Sequence, residues 1–167
     1  GSLQTDELVQ HTAVEMQPYR GRAALVFCKD VKTARRTCAR LQRMGWRAAT
    51  VIGDEHPSGS PERERLLERF QDGELDALVN VDTLSEGTDL PRCDLVVVAR
   101  RVTSVVAWQQ IIGRGMRLFG NKAECIVLSL CETPHGVEYV GELLDMRGED
   151  GDGGEGSPRE QAKGARR

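Results

Sequence analysis

Gln110, Arg114 and Arg117 are the residues of this chain best spaced to do chemistry together. They stand at offsets of zero, four and seven in Gln110-Ile111-Ile112-Gly113-Arg114-Gly115-Met116-Arg117. At about 100° per residue, that spacing sets one amide and two guanidinium groups on one narrow helix face. Trp108, Ile111, Ile112, Met116 and Leu118 fall mainly on the other side. Ser104 is placed to cap such a helix at its start. Two fixed guanidinium groups suit a polyanion such as a triphosphate, because each offers planar, permanently charged donors. Gly113 and Gly115 cost helix stability, about 1 kcal/mol each relative to Ala, and let a backbone or ligand approach closely. By periodicity alone the same pattern also describes a plain solvated face.

The elements that must position this face read as alternating strands and helices. Ala23–Cys28 and Cys93–Ala99 are short continuous apolar runs, as expected of strands buried on both faces of a parallel sheet. Arg47–Ile52, Leu75–Val81 and Ala123–Leu130 are further strand candidates. Val31–Met44 reads as a basic amphipathic helix closed by Gly45. Glu62–Gln71 reads as a charged helix with Ser60 as cap, Pro61 at its first position and Leu66, Leu67 and Phe70 as its inner stripe. A last helix is expected over Pro134–Met146. Such alternation predicts an α/β fold with a mainly parallel sheet. Three segments are expected: a linker or helix over 1–20, a domain over 21–147, and a disordered tail over 148–167, where Gly, Asp, Glu, Ser and Pro prevail. Gly1-Ser2 reads as the remnant of a cleaved tag, which would make the chain a piece of something longer.

Composition narrows the classes. At 167 residues the chain is one ordinary domain. Its net charge of −3 gives no overall basic field, so any nucleic-acid contact must come from a local patch. Five cysteines and three scattered histidines show neither zinc-site nor disulfide spacing, and an intracellular, reducing compartment fits best. No segment has the apolar length of a membrane span, so no membrane partner is expected.

The order Gln-x-x-Gly-Arg-x-x-Arg resembles motif VI of superfamily-two helicases and translocases. The stretch Val79-Asn80-Val81-Asp82-Thr83-Leu84-Ser85-Glu86-Gly87-Thr88-Asp89-Leu90-Pro91 resembles motif V of the same group, in the right order and at about the right separation. Across roughly 22–130 the chain looks like a helicase C-terminal, second RecA-like domain: an open, mainly parallel sheet with helices on both faces. Within the superfamily it looks most like the helicases related to the type III restriction-enzyme subunit. It is less like the DEAD-box group, which has His where this chain has Gln110. Thr88 departs from the usual aromatic or aliphatic residue there.

The resemblance implies roles. Arg114 and Arg117 would be arginine fingers on ATP, with Gln110 positioning or sensing the nucleotide. Glu86, Gly87 and Asp89 would approach the ribose and the coupling network. Thr83, Phe27, Arg63, Gly53 and Arg100 would lie along the nucleic-acid backbone, DNA or RNA. The residues themselves leave other readings open: a turn cap for Thr83, an Asx-turn for Asp89, a core aromatic for Phe27, and plain surface charge for Arg63 and Arg100. No Gly-x-x-x-x-Gly-Lys-Ser/Thr phosphate loop and no Asp-Glu-x-His strand end occur in the chain. Phosphoryl transfer needs a phosphate cradle and a metal. The expectation is therefore that ATP and Mg2+ are held mainly by an N-terminal RecA-like domain of the same parent, and that this chain alone does not hydrolyse ATP. The competing reading is a degenerate RecA-like module that binds nucleic acid or protein without motor activity.

Overall fold

The computed structural model describes residues 2–81, 83–84, 90–108, 110–111 and 125–131. Its centre is one five-stranded parallel sheet in the order β2-β3-β1-β4-β5. The strands are β1 Ala24–Cys28, β2 Ala48–Val51, β3 Ala77–Asn80, β4 Leu95–Ala99 and β5 Ile126–Ser129. The helices are α1 Ser2–Met16, α2 Val31–Arg43 and α3 Pro61–Gln71, and residues 105–108, 110 and 111 are also helical. The expected 134–146 helix, the 148–167 tail and most of the motif VI face lie outside the described residues.

Alternation along each strand divides the core between the two faces of the sheet. On one face Leu25, Phe27, Val96 and Val98 meet Phe70 of α3 and Trp108 and Ile111 of the last helical stretch. On the other, Ala24, Val26, Leu95 and Val97 meet Met16 of α1 and Leu41 of α2. Because β1 and β4 are buried on both sides along their whole length, each reads as an unbroken apolar run. The stretch at 1–20 is thus helical over Ser2–Met16, and it covers the sheet with Ala13 and Met16 fully buried.

Strand ends depart from the expected bounds for identifiable reasons. Leu75 and Asp76 precede β3, where Asp76 accepts from both the backbone amide and the guanidinium of Arg47. Cys93 and Asp94 precede β4: the Cys93 amide donates to the Leu90 carbonyl, and the Asp94 carboxylate accepts from the Ala23 amide. These residues pin the amino ends of neighbouring strands to one another. Helix starts follow the capping chemistry. Ser60 accepts from the Arg63 amide, with Pro61 opening α3. Asp30, which reads in sequence as a turn residue, is the cap of α2 and accepts from the Thr33 amide at 2.7 Å. Ser104 accepts from the Ala107 amide at 3.3 Å and so caps the helix that carries Gln110.

Candidate functional site

All five strands point the same way, so the segments that follow them gather along one edge. In open α/β sheets that carboxyl edge is where ligands bind. After β2 come Ile52 and Gly53; after β3, Val81, Thr83 and Leu84; after β4, Arg100 and Arg101; after β5, Leu130 and Cys131.

Three of the expected nucleic-acid residues meet there. Arg63, on the first turn of α3, is only 5% exposed, and its Nη2 donates to the Thr83 carbonyl at 2.8 Å. A Cβ added at Gly53 would lie 3.7 Å from the Thr83 Oγ1, so the small residue stands directly against that hydroxyl. The Thr83 hydroxyl donates to the Val81 carbonyl at 2.9 Å, which is the turn-cap role its residue type allows. In this arrangement the hydroxyl offers an approaching group its lone pairs rather than its proton. Arg63 is therefore not a surface charge; it acts on the rim through the Thr83 backbone.

Phe27 is a correction to its place among the expected ligand contacts. It is 1% exposed and belongs to the core between β1 and α3, because odd-numbered β1 residues face that layer. Its side chain is not available to a nucleic acid. Arg100 stands half-buried at the end of β4. Its strand lies two places from the one that precedes Thr83, about 10 Å along the rim. Gln110 is exposed, while Trp108 and Ile111 beside it are 3% and 6% exposed. The helix thus turns its apolar side inward and its amide outward, as the spacing predicts. Arg114, Arg117, Glu86, Gly87 and Asp89 lie outside the described residues.

Two residues at the ends of the β3-to-β4 connection are not singled out by the motif spacing, and the first of them is at this site. Asn80 is completely buried at the end of β3. Its Nδ2 donates to the Val26 carbonyl at 3.0 Å, and its Oδ1 accepts from the Leu84 amide at 3.3 Å. A neutral group with one donor and one acceptor is needed to tie β1 to the turn after β3, and a carboxamide supplies both. The signal was present: an Asn closing the apolar run Ala77-Leu78-Val79 is a polar group that burial must satisfy. Arg92 is the other, at the opposite end of the β3-to-β4 connection.

None of the five thiols is exposed. Burial pushes Cys28 up to about 12 and Cys38 up to about 11, and it also raises Cys131, against the lowering pull of Arg101 and Lys29. Among the described residues no group of His, Cys, Asp or Glu is arranged to hold a metal ion, and no helix is long and apolar enough to cross a membrane.

Comparison with known proteins agrees with this fold. The family model described as the helicase conserved C-terminal domain matches residues 5–119. The Schizosaccharomyces pombe protein described as "Putative mitochondrial ATP-dependent helicase irc3" is 35% identical over 111 residues, which are 66% of this chain and 18% of that protein. The ATP-dependent RNA helicase DeaD of Escherichia coli is 35% identical over 75 residues, 45% of this chain and 11% of its own length. The C-terminal domain of the DEAD-box protein Dbp5 superposes with a TM-score of 0.61 at 19% identity, covering 83% of this chain and 79% of that one, a likeness of fold. The chain therefore spans less than a fifth of the length of either curated relative.

Proposed function

We propose that this chain, which belongs to the helicase conserved C-terminal domain family, is the second motor domain of an ATP-dependent nucleic-acid helicase or translocase. On this reading it shares an ATP site with an N-terminal RecA-like domain of the same parent, and that domain holds the phosphate cradle and Mg2+. The observation that carries the reading is the carboxyl-edge cluster of Arg63, Thr83 and Gly53, with the outward-facing Gln110 amide on a capped helix beside it.

The nucleotide fits what the described residues offer. Gln110, the residue of the assigned triphosphate face that lies among the described residues, faces away from the core and opposite Trp108 and Ile111. ATP supplies the phosphoryl group whose transfer drives the cycle. Arg114 and Arg117, at four and seven residues beyond Gln110, stabilise negative charge developing on that group. A finger of this kind is worth about 10³–10⁵ in turnover. Gly87 and Asp89 approach the ribose, with Glu86 just before them in sequence. Thr83 holds the nucleic-acid backbone by turning its hydroxyl proton from the Val81 carbonyl to a phosphate oxygen, giving salt-sensitive and sequence-independent binding.

The test is Arg114→Ala in the parent protein. Nucleic-acid-stimulated ATP turnover should fall by at least about 10³-fold, while the thermal midpoint stays close to wild type. Near-normal turnover in that variant would remove the finger from this residue.

A further inference from the structure

The loop from β2 to α3 borders Thr83 at both of its ends. At the α3 end, Arg63 holds the Thr83 carbonyl. At the β2 end, the backbone of Gly53 lies against the Thr83 hydroxyl, close enough that an added Cβ would sit 3.7 Å from its oxygen. Gly53 is carried on a turn that His56 closes. The His56 Nδ1 accepts from the Ile52 amide at 3.1 Å, and the His56 amide donates to the Ile52 carbonyl at 2.6 Å. The Glu55 amide donates to the same carbonyl at 3.1 Å. Both polar backbone groups of Ile52 are thus taken up by Glu55 and His56. Ile52 is 3% exposed, and a buried amide needs an acceptor. The ladder does not supply one, because β2 is an edge strand that ends at Val51. The other hold on this turn is weaker. Glu55 pairs with Arg35 of α2, but both side chains are about half exposed, and an ion pair in water contributes little.

We propose that His56 is a positioning residue for nucleic-acid binding: as acceptor of the Ile52 amide, its imidazole holds Gly53 against Thr83. The proposal rests on the motor reading above, which puts the nucleic-acid backbone at Thr83 and Gly53. His56 acts through the turn and not by touching the ligand. What the turn requires of this side chain is an acceptor on its Cγ. Asparagine carries Oδ1 on the same carbon and so keeps that acceptor; leucine keeps the branched shape and has none. Without the acceptor the Ile52 amide has to reach water, the turn opens, and Gly53 moves off the hydroxyl. The Thr83 hydroxyl then loses the neighbour that shapes the approach of a phosphate. Because phosphate contacts carry no sequence information, the effect is the same for any base.

The experiment measures the affinity of the parent protein for fluorescein-labelled oligothymidylate and oligouridylate by anisotropy, at one fixed salt concentration. The thermal midpoint of each variant is recorded alongside. His56→Leu should weaken binding about tenfold, the scale of one lost hydrogen bond, and His56→Asn should restore wild-type affinity. Thr83→Val removes the hydroxyl. Adding His56→Leu to it should cost less than the product of the two single losses, as coupled residues do. Where His56→Leu does not fold, His56→Gln, whose acceptor sits a methylene further out, replaces it with the same expectation. Against a wild type that binds, unchanged affinity in His56→Leu overturns the proposal alone. So does His56→Asn binding as weakly as His56→Leu, and so do losses that multiply in the double variant, since a purely structural role gives either result. A wild-type parent that binds neither oligonucleotide overturns the proposal together with the motor reading beneath it.

Discussion

Buried polar side chains do the precise positioning at this rim. Arg63 and Asn80 are both nearly inaccessible, and both end on backbone atoms of the turn after β3 rather than at solvent. Leaving such a backbone group without its partner costs about 1–3 kcal/mol, so their removal is felt at Thr83 before any ligand arrives. Phe27 is a different case. Its side chain is core, and Phe27→Ala should cost about 3–5 kcal/mol of folding stability. Urea unfolding checks the size of the loss. Phe27→Leu should keep wild-type nucleic-acid affinity per folded molecule in the parent; a specific loss of affinity in that variant would restore Phe27 as a contact. Arg92 shows why part of the packing around α3 was not legible in sequence. Its acceptors, the carbonyls of Leu75 and Phe70, lie 17 and 22 residues upstream. They exist as targets only because α3 ends there, and no spacing rule connects them to it. Gln110 was legible because an amide facing away from Trp108 and Ile111 follows from helical period alone.

At the scale of elements, the central strands were the most legible. β1 and β4 are sandwiched between two helical layers, and both-sided burial writes itself as continuous apolar sequence. Their ends were less legible, because Asp76 and Asp94 carry side-chain anchors between strands where the apolar runs give way to charge. The Asp76 anchor gives the fold an acid limit. Burial pushes the Asp76 carboxyl up, but hydrogen bonds from Arg47 and the charges of Arg47 and Arg92 outweigh it and hold the group below its ordinary value of 3.8. The Thr33 amide likewise lowers Asp30. A carboxyl whose folded pKa is depressed contributes its stability above the unfolded value, and that contribution is lost as pH falls through the folded one. Stability should therefore be flat through neutral pH as far as these two groups go, and should decline below about pH 4. Urea midpoints measured across pH 2–7 check this, and Arg47→Ala should flatten part of the acid decline. An acid decline of the same size in Arg47→Ala would show that the pair does not set it.

The whole molecule is one half of a divided machine on this account. The sheet presents a carboxyl edge with backbone-holding residues on one part and a helix with an outward amide on another. The chain corresponds to 18% of one curated relative and 11% of another, so its partners in the reaction are assigned to the rest of the parent. The measurement that tests this most directly is ATP turnover of the parent, with its N-terminal domain, set beside this chain alone. Each is assayed without nucleic acid, with single-stranded DNA and with RNA. The account predicts turnover in the parent that one of the nucleic acids stimulates, and none in this chain under any condition. Turnover by this chain alone would contradict the divided site, and a parent inactive throughout would leave a RecA-like binding module in place of a motor.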